Sequence, residues 1–542
     1  MRRFLAGKAS GVPRPFDALS LTVFAVAFVS VLATFRQYGI AWDEQGETVY
    51  GALLIKYYAS HFQDHSAFEF VNFRFYGGGF ELPAALLGRI SPFGEYETRH
   101  LTSALLGLTG LVATSRLARA LGGERAGALA AVLLALNPVF YGHMFINARD
   151  VPFATGMVCC LLLTVRALDE LPALRARTAA LFGLTLGLTM SVRVGGVLAL
   201  LFFVAPVAVW LAVRVRSGVP RAVVARDAMR SAGTLLPALV LAYAVMAVFW
   251  PWAVQAPLNP LRALVMFSRF PFDGLELFEG KLVAARALPA SYLPMLLVVK
   301  QPVLLLAGVA CAVGFGIVAL RRTADAPGGR EPLKLIAVAF AAAFPILYFV
   351  VARPVLYNGM RHFLFVLPPM TVLAALGLDR ALNAVRSRGL RGALAAAITL
   401  AGGAQLRALV ALHPDQYVYF NALVGGARGA QGRYPLDYWG TSLAQATHRL
   451  VDELVLRDDA PKPGSPPYKV YVCGNVWSAA SFFPSWLTPV EHVEDADFQI
   501  AIAQFYCKHP EGSRPVSTVT RDGAVLSYVD DLRPHDAEQA TR

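Results

Sequence analysis

The stretch Leu19-Ser-Leu-Thr-Val-Phe-Ala-Val-Ala-Phe-Val-Ser-Val-Leu-Ala-Thr-Phe35, followed closely by Trp42-Asp43-Glu44, decides the class of this protein. The run from Leu19 to Phe35 contains no charged residue, and its length approaches the roughly 20 residues with which a helix crosses a bilayer. Two carboxylates stand a few residues beyond its end. Because a carboxylate beside a membrane helix is costly to desolvate, such a pair usually marks chemistry or a transport pathway.

The rest of the chain has the same apolar character. Of its 542 residues, 56% are hydrophobic and 16% are charged, and the mean hydropathy is +0.51. A soluble chain of this length needs far more polar surface, so the sequence predicts a polytopic membrane protein. The net charge of +13 does not indicate a nucleic-acid partner, because the basic residues recur between apolar runs and do not form one patch.

The apolar runs predict an all-α bundle of about eleven transmembrane helices. Their approximate positions are 18–37, 100–119, 126–143, 151–168, 179–193, 195–213, 232–250, 299–320, 335–352, 362–378 and 392–411. The first run is long for a signal peptide and no small-residue cleavage site follows it. We therefore interpret it as an uncleaved helix.

Basic residues divide the loops into two classes. Arginine and lysine are frequent at the N-terminus (Arg2, Arg3, Lys8, Arg14) and in the loops at 116–125, 166–177, 214–230, 321–334 and 380–391. By the positive-inside rule, these segments are predicted to be cytoplasmic. The alternate segments, 38–99, 144–150, 251–298, 353–361 and everything after 412, are predicted to face outwards. Because the composition is typical of a GC-rich bacterial genome, the expected location is the bacterial inner membrane, with a periplasmic C-terminus.

Composition also predicts two domains. Residues 1–411 form the membrane domain, with large external loops at 38–99 and 251–298. Residues 412–542 predict a small external α/β domain, with an amphipathic helix from Ser442 to Arg457 and strands at Lys469–Cys473, Phe498–Ala503 and Ala524–Val529.

Cysteine and histidine residues predict little chemistry. Cys473 and Cys507 each follow a strand of the external domain, and both a disulfide and two unpaired thiols are compatible with the sequence. The chain contains no C-x-x-C motif and no His and Cys cluster at metal-binding spacing. The sequence therefore predicts no metal site and no cofactor.

External arginines are the anomaly in this topology, because orientation signals place basic residues on the cytoplasmic side. Arg149, Arg193, Arg269 and Arg361 are all predicted at the external mouth of the bundle. Each of them alone could be a side chain that reaches up to the membrane interface. Together they predict a site for an anionic head group, since arginine binds phosphate through two parallel hydrogen bonds.

Three carboxylates are predicted on the same side: Asp43, Glu44 and Glu81. A carboxylate beside a phosphate-linked donor can take the proton of an acceptor hydroxyl or amine, while nearby cations stabilise the departing phosphate. Asp43 is the candidate base, Glu44 would orient it or bind the acceptor, and Glu81 would line the site. The alternative for Asp43 is a helix N-cap, because aspartate favours that position.

Other polar residues could contact the sugar or the acceptor. Asp150 is one candidate, although it could instead pair with Arg149 or cap a helix. Tyr357 and His362 stand at the external end of a predicted span, where a histidine is often only an interfacial residue. The segment Asp437-Tyr438-Trp439 combines a carboxylate with aromatic faces, which suits a carbohydrate. A folded structural corner is the alternative for that segment.

Several short motifs occur in the order of the chain: the Asp43-Glu44 pair, Asn147-Ala-Arg-Asp-Val-Pro-Phe153, Arg193-Val-Gly-Gly196, Arg361-His-Phe-Leu-Phe-Val-Leu-Pro-Pro369 and Asp437-Tyr-Trp-Gly440. As an ensemble they resemble the GT-C superfamily of membrane glycosyltransferases, in the branch of protein O-mannosyltransferases and aminoarabinose transferases. The resemblance implies a polyprenyl-phosphate sugar donor, an inverting transfer on the external face and no required metal. It also implies that Asp43 is the catalytic base.

The acceptor stays open between a protein, a lipid and a glycan. Loop 251–298 is too short for the inserted domain of eukaryotic mannosyltransferases, and Glu81-Leu82 stands where members that act on lipid A usually have Glu-Lys. The alternative functions are a transporter or flippase of lipid-linked sugars and a non-catalytic envelope assembly protein. A transporter often shows repeated halves and ionisable residues in mid-span, and we find neither pattern in the sequence.

Overall fold

A computed structural model of the protein describes residues 15–322, 330–462 and 464–534. The basic residues Arg2, Arg3, Lys8 and Arg14, which predict a cytoplasmic N-terminus, lie outside the described residues, as does the middle of the predicted cytoplasmic loop 321–334. Within the described part, helices dominate and a small sheet lies near the C-terminal end.

The first half of the chain is helical. Its helices are α1 Pro15–Thr34, α2 Glu44–Ala59, α3 Ser66–Glu69, α4 Glu81–Gly88, α5 Glu95–Ala135, α6 Pro138–Ile146, α7 Asp150–Glu170, α8 Ala176–Val192, α9 Leu198–Arg216 and α10 Arg221–Phe249.

The second half begins with helices and ends with a sheet. Its helices are α11 Trp252–Gln255, α12 Asn259–Ser268, α13 Tyr292–Val299, α14 Val303–Arg322, α15 Arg330–Ala352, α16 Leu367–Ala384, α17 Arg388–Ala411, α18 Gly426–Ala430, α19 Leu443–Leu456 and α20 Val476–Ala480. Its strands are β1 Leu275–Phe278, β2 Lys281–Ala284, β3 Tyr468–Cys473, β4 Leu487–Val490, β5 Phe498–Ile502, β6 Arg514–Arg521 and β7 Ala524–Asp531.

The prediction of a polytopic helical bundle is confirmed. Among the described residues, eight helices are long and apolar enough to cross a membrane, and the bent pair α13 and α14 makes a ninth. Every predicted span falls on one helix or on two successive helices. The two counts differ because the spans predicted at 100–119 and 126–143 share helix α5, which kinks at Gly123 (φ 81°), and because α8 is shorter than the other spans.

Two helix breaks meet inside the bundle. Asn137 separates α5 from α6, and its side-chain oxygen caps α6 by accepting the N–H of Phe140. The chain bends by 115° between α13 and α14, where Pro302 lacks the N–H that a continuous helix needs. The amide nitrogen of Asn137 donates to the side-chain oxygen of Gln301 at 2.7 Å, so one buried hydrogen bond ties the two breaks together.

Most aromatic residues of loop 38–99 pack against one another. Tyr50, Tyr57 and Phe68 are buried in one cluster with residues of α2 and α4, and the rings of Tyr57 and Phe68 lie 4.9 Å apart. This apolar face of α2 leaves Glu44 and Glu47, near the start of the helix, buried on the side of the bundle. The loop is therefore a folded cap with its own small core.

The C-terminal domain has the predicted α/β fold. Its five strands follow the order β4-β3-β5-β7-β6, with β3 parallel to β4 and β5, and β7 antiparallel to β5 and β6. Sequence analysis predicts β3, β5, β7 and the helix α19, but it misses β4 and β6. Both missed strands are at the edges of the sheet, where Pro489 is tolerated and where the exposed and half-buried residues of β6 give no apolar run.

The boundary between the two hydrophobic cores lies later in the chain than residue 412, where the composition changes. The side chains of Tyr417, Phe420, Tyr434 and Trp439 belong to the core of the helical bundle. A separate core begins at Leu443 and contains residues of α19 and the sheet. The segment between α17 and α19 is therefore part of the wall of the bundle.

A close backbone contact joins the loop before α4 to the end of α8, and it supplies a test of the fold. A methyl group at Gly77 would lie 1.7 Å from the carbonyl oxygen of Ser191, so Gly77→Ala should force the two segments apart. We expect it to lower the stability by about 1–3 kcal/mol, measured as a lower thermal unfolding temperature of the purified protein. Gly88→Ala is the control, because a methyl group there meets nothing within 4 Å. Equal unfolding temperatures for the two variants would contradict this packing.

Candidate active site

At the start of α2, two neighbouring carboxylates have different surroundings. Asp43 is the N-cap residue by position, but its side chain makes no capping hydrogen bond. Glu44 is buried, accepts the backbone N–H of Ala41 at 2.7 Å and lies 3.0 Å from His100 Nε2. The Asp43 side chain keeps 37% of its surface exposed. The alternative role of Asp43 as a side-chain cap is therefore not realised.

Asp150, the first residue of α7, is the centre of an ion cluster. Its carboxylate lies 2.7 Å from Arg193 Nη2 and 3.6 Å from Arg361 Nη1. The side chain of Asn147 holds it from both sides, because Nδ2 donates to Asp150 Oδ2 at 3.0 Å and Oδ1 accepts the N–H of Asp150 at 2.8 Å. Arg361 Nη1 also lies 3.3 Å from Asp43 Oδ2. One guanidinium group thus joins the buried carboxylate to the exposed one.

A second ion network lies behind the first. Glu47 Oε1 lies 3.0 Å from Arg149 Nε, and Glu47 Oε2 lies 3.1 Å from Arg99 Nη2. The same nitrogen of Arg99 is 2.7 Å from Glu81 Oε2. All four side chains are buried. This network connects α2, α4, α5 and the residue before α7.

The surroundings of Asp150, Glu81 and Arg269 differ from those expected from the sequence. Asp150 does not pair with Arg149, whose partner is Glu47. Glu81 is paired with Arg99 and is not among the residues that line the cavity around Asp43. Arg269 is exposed at the end of α12, and among the described residues no ion pair joins it to the acidic cluster.

The segment 437–439 divides into two roles. Asp437 accepts hydrogen bonds from the backbone of Thr441 at 3.0 Å and from the hydroxyl group of Tyr417, which is the structural corner considered as an alternative. Tyr438 lines the cavity around Asp43, and its hydroxyl group lies 3.2 Å from His143 Nε2. The ring of Trp439 lies 5.1 Å from the guanidinium carbon of Arg361.

Asp43 opens into a cavity of about 450 Å³. The bundle contributes Trp42, Tyr357 and Tyr438, the hairpin of β1 and β2 contributes Glu276, and the C-terminal domain contributes the segment 504–506. Burial raises the pKa of Tyr357 to about 12, so its hydroxyl group stays protonated and can donate a hydrogen bond. The cavity is therefore enclosed by three separate parts of the chain.

An apolar groove of about 230 Å³ reaches the same place from the side of the bundle. It is lined by residues of α9, α12 and α15 together with Arg193, Tyr357 and His362. His362 Nδ1 is buried, with no hydrogen-bond partner in the described part of the chain. Tyr357 borders both the groove and the cavity of Asp43. Arg193 thus lines the groove, and Arg361 contacts Asp43, which lines the polar cavity.

A disulfide within the C-terminal domain and a hydrogen bond to the bundle restrain the part of the domain that borders the cavity. Cys473 and Cys507 form a disulfide with Cα atoms 5.8 Å apart, which decides between the two states left open by the sequence. Cys507 directly follows the segment 504–506 that lines the cavity. Asn475 Nδ2 donates to the carbonyl oxygen of Trp42 at 3.0 Å, next to Asp43.

Sequence analysis missed several residues of the site. Glu47 lies one helical turn after Glu44, so helical periodicity could have identified it. Glu276 accepts hydrogen bonds from the hydroxyl group of Tyr292 at 2.8 Å and from the N–H of Asn358 at 2.7 Å, and burial raises its pKa. The pair Phe505 and Tyr506 reaches the cavity only through the fold of the C-terminal domain. No local pattern could have indicated that contact.

Comparison with known proteins finds similarity in structure only. No family model and no curated protein matches the chain. ArnT from Cupriavidus metallidurans, in a crystal structure with bound undecaprenyl phosphate, is similar at 16% identity over 95% of this chain and 97% of that chain, with a TM-score of 0.44.

Two further solved structures are similar to the same extent. The archaeal oligosaccharyltransferase AglB from Archaeoglobus fulgidus, in complex with an inhibitory peptide and a dolichol-phosphate, has 15% identity over 89% of this chain and 69% of that chain, with a TM-score of 0.46. The mycobacterial arabinofuranosyltransferase AftD has 14% identity over 96% of this chain and 40% of that chain, with a TM-score of 0.44. At these values the similarities do not assign an activity or a substrate to this chain.

The second ion network predicts a large effect on stability. Arg99→Met removes the cation between Glu47 and Glu81 and leaves both carboxylates buried. Removing one partner of a buried pair typically costs about 3–5 kcal/mol, so we expect a markedly lower thermal unfolding temperature. Arg89→Met is the matched control, because Arg89 is exposed at the end of α4. The network would be unimportant for stability if the two variants unfolded at the same temperature.

Proposed function

We propose that this protein transfers a sugar from a polyprenyl-phosphate carrier to a hydroxyl or amine acceptor at the outer surface of the bacterial inner membrane. The observation that carries the proposal is the position of Arg361. It contacts the exposed carboxylate of Asp43, which lines the polar cavity. Through Asp150 it also belongs to one cluster with Arg193, which lines the apolar groove. A lipid-linked sugar phosphate needs an apolar surface for the lipid, cations for the phosphate and a polar cavity for the sugar.

The groove suits the carrier lipid and the arginines suit its phosphate. The groove walls are mostly apolar and aromatic, as an isoprenoid chain requires. Arg193 Nε and Arg361 Nε are buried and have no hydrogen-bond partner among the described residues. Buried donors are usually satisfied, and phosphate oxygens at the mouth of the groove would satisfy these.

Asp43 is then the proposed base. Its carboxylate takes the proton of the acceptor hydroxyl or amine as that group attacks the anomeric carbon of the sugar. The bond between the anomeric carbon and the phosphate oxygen breaks, and its electron pair leaves with the polyprenyl phosphate. Arg361 and Arg193 stabilise the additional negative charge. Attack from the side opposite the leaving phosphate inverts the anomeric configuration.

Glu44 and Glu81 act at a distance in this proposal. Both carboxylates are buried in contacts with His100 and Arg99, so they position α2 and α4 and do not touch the acceptor. The acceptor approaches through the cavity of Asp43. Three aromatic side chains are exposed there: Trp42 (41%), Phe505 (41%) and Tyr506 (50%). A protein, a lipid or a glycan could present its hydroxyl or amine there.

Two observations support the location and the reaction class. The disulfide of the C-terminal domain is typical of an oxidising compartment such as the periplasm. Asp43, Asp150 and Arg193 stand at the ends of α2, α7 and α8 rather than in the middle of a span. This arrangement favours chemistry at the membrane surface over transport through it.

The base is tested by Asp43→Asn, which keeps the shape but removes the proton acceptor. Purified protein is incubated with a panel of labelled undecaprenyl-phosphate hexoses and pentoses and with envelope extract, and product is followed by mass spectrometry. We expect the rate to fall by about 10²–10⁴-fold, with carrier binding retained. Asp273→Asn is the control, because Asp273 is an exposed carboxylate (79%) of the other large external loop, 251–298. Full turnover by Asp43→Asn would remove the assignment.

The phosphate site is tested by Arg193→Gln. Loss of a charged hydrogen bond costs about 1.5–3 kcal/mol, so the affinity for undecaprenyl phosphate should fall by about 10–100-fold. Binding of undecaprenol, which lacks the phosphate, should be unchanged. Arg269→Gln serves as the control, since Arg269 lies outside the ion cluster. Equal loss of binding for both lipids, or in both variants, would contradict a phosphate contact at Arg193.

A further inference from the structure

Three aromatic side chains, Trp42, Phe505 and Tyr506, form an aromatic wall of the Asp43 cavity. All three are exposed, although aromatic rings gain much free energy from burial. Trp42 comes from the bundle and the other two come from the C-terminal domain, so two separate parts of the chain place exposed rings around one cavity. Exposed apolar groups that line a cavity favour a ligand with an apolar face.

The backbone holds the aromatic wall in place. The N–H of Trp42 donates to the carbonyl oxygen of Trp439 at 3.1 Å, and its own carbonyl oxygen accepts from Asn475 Nδ2 at 3.0 Å. The segment 504–506 lies between the end of β5 and the disulfide-bonded Cys507. Because the rings are already positioned, a ligand that packs on them loses less conformational entropy on binding.

Two side-chain amides, Asn358 and Gln504, border the same cavity and form an amide pair. The N–H of Asn358 donates to Glu276 Oε1 at 2.7 Å, and the N–H of Gln504 donates to the carbonyl oxygen of Ile502 at 2.8 Å. Neither side-chain amide has a hydrogen-bond partner in the described part of the chain. Each amide offers two donor hydrogens and an acceptor oxygen, so it suits a group that both donates and accepts, as a hydroxyl group does.

The charge of the cavity argues against an anionic acceptor. Its lining includes the carboxylates of Asp43 and Glu276 and, among the described residues, no lysine or arginine. Arg361 contacts Asp43, but it is buried and does not line the cavity. A phosphate or carboxylate on the acceptor would therefore face like charges without a cation beside it. These surroundings favour a neutral acceptor.

We propose that the acceptor is a neutral carbohydrate that binds between the aromatic wall and the amide pair. The apolar C–H face of a sugar ring suits an aromatic ring, and its hydroxyl groups suit the amides. One hydroxyl group gives its proton to Asp43, and its oxygen forms the new bond to the anomeric carbon of the donor as the polyprenyl phosphate leaves with the electron pair. The cavity volume of about 450 Å³ lies in the range of small-molecule sites, about 300–1,000 Å³, which favours the end of a glycan over a protein surface. The inference rests on the proposed sugar transfer.

Carbohydrate binding is tested separately from transfer. The full chain in phosphatidylcholine nanodiscs is mixed with neutral trisaccharides of glucose, galactose, mannose or N-acetylglucosamine, and saturation-transfer NMR detects the bound sugar. We expect at least one trisaccharide to bind, and Trp42→Ala, Tyr506→Ala and Gln504→Leu each to lower its affinity by about 10–100-fold. Trp477→Ala is the matched control and should bind like the wild type, because Trp477 is an exposed tryptophan (50%) that does not line the cavity.

Several results would overturn the carbohydrate site. One is the absence of binding for every trisaccharide, and another is an equal loss in Trp477→Ala, which would indicate general contact with exposed rings. A serine- and threonine-rich peptide is tested in parallel, and binding of this peptide alone, weakened by Tyr506→Ala, would make a protein the acceptor. Weaker binding of an undecaprenyl-phosphate hexose in Trp42→Ala, with trisaccharide binding unchanged, would place the aromatic wall against the donor.

Failure of the proposed sugar transfer gives a different result. A trisaccharide would then bind and depend on the aromatic wall, but no undecaprenyl-phosphate sugar would yield a product with it. Conversely, transfer to a trisaccharide with the same acceptor KM in Trp42→Ala, Tyr506→Ala and the wild type would retain the transferase and overturn the site. The result expected is transfer with an acceptor KM raised in both variants and unchanged in Trp477→Ala.

Discussion

The buried carboxylate of Asp150, shared between Arg193 and Arg361, is the contact on which the candidate site depends. A buried charge is tolerated only when it is paired and hydrogen-bonded. Asp150 also begins α7, where the helix dipole favours a negative charge. These requirements bring together the start of α7, the end of α8 and the segment before α16. Arg361 is then held within 3.3 Å of Asp43, so the geometry of the exposed carboxylate follows from the buried one.

The second network explains why one acidic residue stands apart from the others. Glu44, Glu47 and Glu81 are buried against His100, Arg149 and Arg99, so their side chains are not accessible to a substrate. Asp43 has a partially exposed carboxylate and faces a cavity. A proton acceptor must reach solvent or substrate, whereas a side chain that positions a helix must not. The buried contacts of Glu44, Glu47 and Glu81 therefore fix the position of α2, and with it the position of Asp43.

Sequence analysis predicted what depends on local pattern. Apolar runs identified every span, and buried strands such as β5 were found because all of their residues are buried. Edge strands β4 and β6 were missed because they lack that pattern. In the site, Asp43 was predicted because a carboxylate beside a membrane helix is costly to desolvate, and Arg193 and Arg361 because orientation signals would place arginines on the other side. Arg269 shares that signal but is exposed outside the cluster. The pairing of external arginines with carboxylates could not be predicted, because it depends on contacts between residues far apart in sequence, such as Arg361 and Asp43.

The contacts of the C-terminal domain with the bundle are likewise not predictable from local sequence pattern. Composition places its start at residue 412, whereas its separate core begins at Leu443. Its segment 504–506 nevertheless forms one wall of the cavity of Asp43, and Asn475 bonds the backbone of Trp42. The disulfide at Cys507 restrains this wall from inside the domain. In the proposed reaction, an acceptor that reaches Asp43 must therefore fit between the two domains, so its selection would depend on how the C-terminal domain is attached as much as on the membrane helices.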